Sequence, residues 1–239
     1  MSRVNSFSAL GEVMQLAYVP KDFDAALKFW IETVGAGPFF ALDHVKLVDL
    51  KYLGKPADVD FSMVIGYWGD IQIELIRQHN DTPSIYSEWL KQRHEGLHHV
   101  CILVDDLQEA RRLCAETGAT VAQEGKVAGG GEVIYVDTGG GPGTMVEILA
   151  RGPGTDGFFA MLKDAARGWD GKDPVRKIGR WAVAFPARSP SSPEALPVSA
   201  PRQCAGLWQK ARTYSFRIFR LNSARRSRGR HDRLFLCTT

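Results

Sequence analysis

Four residues able to ligate a divalent cation each interrupt an apolar, strand-like segment: Gln15 in VMQLAYV (13–19), Glu74 in DIQIELI (70–76), His99 in LHHVCILV (97–104) and Glu147 in GTMVEILA (143–150). A carboxylate in the middle of an apolar strand is costly unless it is paired, protonated or bound to a cation. Two such carboxylates at equivalent places in a repeat make a cation the economical explanation. Taken singly, each residue has a plainer reading: a strand Glu usually faces water, and a strand His is usually hydrogen-bonded. It is their joint spacing that points to a metal site and hence to an enzyme.

The four fall into two pairs. The stretch from Gln15 to Asp22 and Phe23 returns from His99 to Asp106 and Leu107 at a constant offset of 84, and the stretch around Glu74 returns around Glu147. Strand alternation decides whether they can meet. Gln72, Glu74 and Ile76 share one face, leaving Ile71, Ile73 and Leu75 for burial under helices. Met145, Glu147 and Leu149 share a face, as do His99, Cys101 and Leu103, and Gln15 shares its face with Ala17. His99, not His98, aligns with Gln15, so His98 should point to the opposite face.

Each repeat reads as a strand, an acidic turn and a helix, followed by three strands. Asp22 and Asp106 are candidate N-caps. The first helix carries apolar residues at Phe23, Ala26, Leu27, Trp30 and Val34 and stops at Gly35; the second uses Leu107, Ala110, Leu113 and Cys114 and stops at Gly118. Further strands are expected at 38–42, 59–67 and 70–77, and at 119–123, 132–137 and 144–150. A single βαβββ module cannot cover both faces of its strands, so two modules sharing a sheet is the natural solution. A linking helix is expected over 83–93 and a further helix over 156–169, capped by Thr155 or Asp156 and docked on the sheet or on a partner subunit.

Charge is divided unevenly. The net charge is +3, but the 64 residues from Arg176 onward hold 14 Lys and Arg against 2 Asp and Glu, a balance of +12, so residues 1–175 carry −9. The prolines and serines of 186–201 and the Arg-rich run 217–230 support no packed core, so disorder is expected there. The expected organisation is a domain over 10–152, with modules at about 12–77 and 96–150, an accessory helix over 153–175 and a basic tail over 176–239. No nucleic-acid fold is recognisable, so no nucleic-acid partner is expected despite the charge of the tail. No run reaches the roughly 18 apolar residues of a membrane span. No secretory signal is apparent, and four cysteines without CxxC spacing suit a reducing, cytoplasmic compartment.

GLHHVCILVDDL (96–107), IQIELI (71–76) and GTMVEILA (143–150) resemble the vicinal oxygen chelate (VOC) superfamily, the glyoxalase, bleomycin-resistance and dioxygenase fold, and look particularly like its methylmalonyl-CoA epimerase and glyoxalase I branches. The likeness covers roughly 12–150. It implies an α+β fold in which two βαβββ modules form a curved mixed sheet, with metal ligands on the first and fourth strands of each module. Those positions here are Gln15, Glu74, His99 and Glu147. Epimerases and bacterial glyoxalases commonly have His where this chain has Gln15, although Gln is a known variant in the glyoxalase I branch.

The resemblance implies a divalent-metal-dependent isomerase or lyase that transfers a proton α to a metal-polarised carbonyl. Glu147 is then the favoured base and Glu74 serves the other direction. One nitrogen and three oxygens suit Zn, Co, Ni or Mn. A ring-cleaving dioxygenase is disfavoured, because non-haem iron normally takes two His and one carboxylate and only one of the four is His. Thioester or hemithioacetal substrates and a homodimer follow from the same likeness. The alternative is a non-catalytic drug- or metabolite-binding protein of the bleomycin-resistance type. His79, Asn80 and Tyr86 are candidates for contacting the substrate; a polar turn is the other reading of His79 and Asn80, and core packing that of Tyr86.

Overall fold

The computed structural model describes residues 6–127 and 130–178. All of these belong to the first of two compact units, Met1–Pro190. The basic run 217–230, the proline-rich segment 186–201 and most of the expected tail lie outside the described residues.

The first repeat supplies β1 (Val13–Tyr18), α1 (Phe23–Lys28), β2 (Phe39–Val45), a hairpin of β3 (Val48–Tyr52) and β4 (Lys55–Pro56), β5 (Phe61–Trp68) and β6 (Ile71–Gln78). After the linking helix α2 (Ile85–Lys91), the second supplies β7 (Leu97–Val104), α3 (Gln108–Thr117), β8 (Thr120–Lys126), β9 (Glu132–Asp137) and β10 (Met145–Ala150). Then come α4 (Thr155–Ala166) and β11 (Val175–Lys177).

Asp22 caps α1 as expected, its carboxylate accepting from the Ala25 amide at 2.9 Å. The chain then continues as a π-helical turn, Phe29–Val34, which ends at Gly35 with φ +76°. Four corrections concern the helices and edges. Asp106 does not cap α3: it accepts from Gln108 in a local turn, and Leu107 takes the cap position. Gly154, not Thr155 or Asp156, is the cap of α4, because the Thr155 hydroxyl is spent on the Gly152 amide at 2.9 Å. That helix ends at Ala166 rather than 169. The hairpin β3–β4 and the short β11 had no alternating pattern to reveal them, and Arg176 and Lys177 of the expected tail pair with Phe40 and Ala41.

Among the described residues the strands form one sheet in the order β11-β2-β5-β6-β1-β7-β10-β9-β8-β3-β4. The modules mirror one another about the central antiparallel pair β1–β7, and each first strand runs parallel to its own module's fourth, β6 or β10. This is the α+β fold of two βαβββ modules in a curved mixed sheet. The hairpin makes the curvature unavoidable. β2 and β3 sit near opposite edges of the sheet, yet only Lys46 and Leu47 separate them. Three extended residue steps reach roughly 11 Å at most, so the edges must approach and the sheet must wrap.

Wrapping gives a convex and a concave face. On the convex side Ile73 and Leu75 pack with Phe39, Val64 and Trp30 beneath α1, while Ile148, Ile102 and Ile134 pack with Ala110 and Cys114 of α3. The apolar half of each alternation is thereby buried, which commits Glu74 and Glu147 to the concave face. Gly66 is required within this packing: a Cβ there would come within 2.9–3.0 Å of the Phe39 ring. The α4 helix lies over the concave side of β5, with Leu162 buried among Phe40, Ile65 and Tyr67. Intramolecular docking therefore accounts for its apolar stripe.

Candidate metal centre

Strand register builds the floor of the concave face in two rows. One runs Tyr67–Gln72–Gln15–Cys101–Glu147–Tyr135–Gln123 across seven strands. The next runs Ile65–Glu74–Ala17–His99–Met145. Because Ala17 has only a methyl group, Glu74 and His99 face each other across it. Glu147 leans in from the neighbouring row.

The result is a compact cluster. His99 Nε2 lies 2.9 Å from Glu147 Oε2 and 3.7 Å from Glu74 Oε2. One ligand atom from each of the three falls within 4.8 Å of the others. All three are buried: His99 is 0% exposed, Glu74 6% and Glu147 7%. Burial first, and then the charge of Glu147, push the Glu74 carboxyl well above the ordinary value. Buried carboxylates in contact with one imidazole stay ionised together only if a positive charge joins them. At 2.9 Å the His99–Glu147 contact itself needs a proton, held on one partner or the other, and that is the position a cation would take. The donor set fits a divalent cation.

Gln15 is brought to the same cavity, with a different attachment. Its Nε2 donates to Gln72 Oε1 at 2.5 Å, and Gln72 Nε2 donates onward to the Tyr67 hydroxyl at 3.2 Å. With the amide nitrogen spent, Oε1 is the atom of Gln15 that remains to meet a cation. Gln72 and Tyr67 thus fix the orientation of the Gln15 amide, which the sequence signalled only through the shared face of Gln72 and Glu74.

Above the floor lies a cavity of about 180 Å³ lined by Gln15, Glu74, Glu147, Cys101, Tyr86 and Tyr135. Its walls are apolar: Val45, Phe61 and Met63 from the sheet, Phe158 and Phe159 from α4. Tyr86 lines it and donates to the Tyr135 hydroxyl at 3.2 Å. Burial raises both phenols well above their ordinary range. The Cys101 thiol is likewise pushed up by burial and by the charges of Glu147 and Glu74. Tyr135 and Cys101 went unsuspected as site residues, since only the register places them beside Glu147.

Two expectations are corrected. His79 and Asn80 do not line this cavity. The His79 Nε2 lies 2.6 Å from the Ser62 hydroxyl, and Asn80 ties together the Asp58 carbonyl, the Asp60 amide and the Thr82 hydroxyl. They form a polar turn. His98 does not point away from His99. A β-bulge intervenes, with Ala17 opposite His99 and Tyr18 opposite Leu97, so His98 is the extra residue. A bulge suspends period-two alternation. The two imidazoles meet Nδ1 to Nδ1 at 2.8 Å, and His98 Nε2 reaches the Ile85 carbonyl at 3.2 Å. Burial, followed by the neighbouring His99, lowers His98 to about 3.

A sequence model of the family described as Glyoxalase/Bleomycin resistance protein/Dioxygenase superfamily matches residues 14–136, more than half of the chain. No curated protein matches it. Similar solved structures include methylmalonyl-CoA epimerase from Mycobacterium tuberculosis (15% identity, TM-score 0.44, covering 64% of this chain and 95% of that one). A variant of the Streptomyces coelicolor methylmalonyl-CoA epimerase in complex with 2-nitronate-propionyl-CoA (17% identity, TM-score 0.42, covering 59% and 94%) is another. A hypothetical protein from Bacillus halodurans is a third (16%, 0.41, 59% and 94%).

Proposed function

We propose, since the chain belongs to the glyoxalase, bleomycin resistance protein and dioxygenase superfamily, that it is a divalent-metal-dependent isomerase or epimerase transferring a proton α to a carbonyl. The observation that carries this reading is the convergence of Glu74, His99 and Glu147 within 4.8 Å on the floor of an apolar cavity. These three would hold the cation, with Gln15 as a fourth, neutral ligand. When bound, the cation supplies Lewis-acid polarisation of the substrate carbonyl.

The chain's own residues supply the rest. Glu147 takes the proton from the carbon beside the carbonyl, and Glu74, from the other side of the floor, delivers or removes it in the opposite sense. Both phenols stay protonated, and because Tyr86 donates its proton to Tyr135, the Tyr135 hydroxyl is the donor available at the cavity wall. Phe158 and Phe159 of α4 help to keep water out. Acyl-CoA thioesters and glutathione hemithioacetals are the substrate classes to test, their carriers extending beyond the cavity mouth.

The apolar walls favour a second reading, a drug- or metabolite-binding protein that needs no metal. The buried carboxylate pair argues against it, because an apolar ligand would do nothing to offset that charge. A homodimer is part of the proposal; the exposed rings of Phe29 and Trp68, packed edge-on and tilted against Trp30, offer it an apolar contact surface. The buried free thiols Cys101 and Cys114 accord with the reducing cytoplasm proposed as its location. No described helix is long and apolar enough to cross a membrane.

The test is exchange of the α-proton of each substrate class into deuterated water, by NMR, with metal-loaded and EDTA-treated protein. Metal-dependent exchange for at least one class is expected. Absence of exchange with fully loaded protein across both classes would overturn the enzymatic reading.

A further inference from the structure

His98 is buried beside the metal centre, yet it is neither a ligand nor simple packing. The residue is 1% exposed, and its ring lies against Tyr86 (centroids 5.6 Å apart), Trp89 (5.0 Å) and His99 (5.1 Å). Its two nitrogens each have one polar partner. Nε2 meets the carbonyl oxygen of Ile85, in the first turn of α2, at 3.2 Å, and Nδ1 meets His99 Nδ1 at 2.8 Å. These partners fix the direction of both hydrogen bonds. A carbonyl can only accept, so His98 Nε2 carries a proton and donates. Among the described residues no carboxylate contacts the ring to support an imidazolium, so Nδ1 is the bare nitrogen and accepts. The proton of that second bond must then come from His99 Nδ1. Of the two nitrogens of His99, it is Nε2 that faces Glu147 and Glu74.

We propose that His98 is a positioning residue that holds His99 in the Nδ1-protonated tautomer, with its Nε2 lone pair directed at the carboxylate pair, through a hydrogen-bond chain anchored on the Ile85 carbonyl. The second ring nitrogen of a ligating histidine normally donates to a carboxylate, backbone carbonyl or water, and that partner sets tautomer and ring angle. Here a neutral imidazole takes the place of those acceptors. The β-bulge is what makes this arrangement available, because regular alternation would have sent His98 through to the convex face. The chain also ties the centre to α2, whose Tyr86 forms part of the cavity wall. The role rests on the metal reading above, but its hydrogen-bond chain exists without it.

The test has two arms on the full-length chain. The first uses wild-type, metal-free protein labelled with ¹⁵N at histidine. Long-range proton–nitrogen spectra should show His98 protonated on Nε2 alone, His99 protonated on Nδ1, and a scalar coupling between the two Nδ1 nuclei across the hydrogen bond. A His98 protonated on Nδ1 would overturn the inference. The second arm measures zinc affinity by competition with a chelating dye. His98→Phe keeps the ring volume but cannot accept, and should weaken zinc binding by about 10- to 100-fold. His98→Gln, whose amide can both donate and accept, should recover part of that loss. Unchanged affinity in folded His98→Phe would equally overturn it. A wild-type protein that takes up no zinc would instead defeat the metal reading, while the spectra still decide the hydrogen-bond chain.

Discussion

Glu74 and Glu147 stand on strands that the central pair β1–β7 separates, yet their Oε2 atoms reach the same nitrogen of His99, at 3.7 and 2.9 Å. Neither repeat could build this contact alone. Each module supplies one carboxylate from its fourth strand, and the antiparallel pairing of the first strands brings them together. The small side chain of Ala17, between Glu74 and His99 in the sheet, keeps the space open.

That crowding makes the metal-free protein sensitive to pH. The folded-state pKa of Glu74 is raised, so its protonated form stabilises the fold fully below the ordinary carboxylate value of 4.5, and this contribution is lost as pH rises through the folded value. His98 works in the opposite sense: lowered from 6.5 to about 3, its contribution is present above 6.5 and lost as pH falls toward 3. Glu74→Gln removes only the first effect. In EDTA-treated samples, the melting temperature of Glu74→Gln relative to wild type should therefore rise as pH is raised from the ordinary carboxylate range upward. A difference that stays constant over that range would contradict the assignment.

Glu147→Gln tests the base. The substitution is nearly isosteric and keeps an oxygen beside His99, so the melting temperature should change little. Turnover or α-proton exchange should fall by about 10²- to 10⁴-fold, the usual contribution of a general base. Activity retained within a few-fold of wild type would remove Glu147 from that role.

Gln15 is the weakest of the proposed ligands, being neutral and held by Gln72 rather than by the cluster. Gln15→His replaces an amide oxygen with an imidazole, the better ligand for Zn, Co or Ni. An increase in zinc affinity of about tenfold is expected, measured by chelator competition. No change would place Gln15 outside the coordination sphere.

The face alternation of β6 and β10 was readable in the sequence, because Ile73, Leu75 and Ile148 mark one side so clearly that Glu74 and Glu147 are left the other. The repeat placed Gln15 and His99 on matching first strands, and the helices at 23 and 107 followed from their apolar period. His98 was misplaced because a bulge leaves no mark on composition. Tyr135 and Cys101 went unrecognised because their neighbours are set by register between strands distant in sequence. The hairpin at 48–56 buries only Leu50 of its first strand, so neither period marks it.

The α4 helix closes the cavity through a single well-buried anchor. Leu162 is 1% exposed among Phe40, Ile65 and Tyr67. Leu162→Ala should cost about 2–5 kcal/mol by urea denaturation, the range for a buried Leu→Ala change. A cost below about 1 kcal/mol would show that the helix is not tightly docked on the sheet in solution.

The central claim is that Glu74, His99 and Glu147 form a divalent-metal site, and metal content tests it most directly. Purified protein is reconstituted with zinc, cobalt, nickel or manganese, freed of excess, and analysed by inductively coupled plasma mass spectrometry beside Glu74→Ala and Glu147→Ala. Wild type should retain about one equivalent of at least one metal per chain, and each variant much less. Less than about a tenth of an equivalent in wild type, for every metal, would contradict the account and favour the metal-free binding protein.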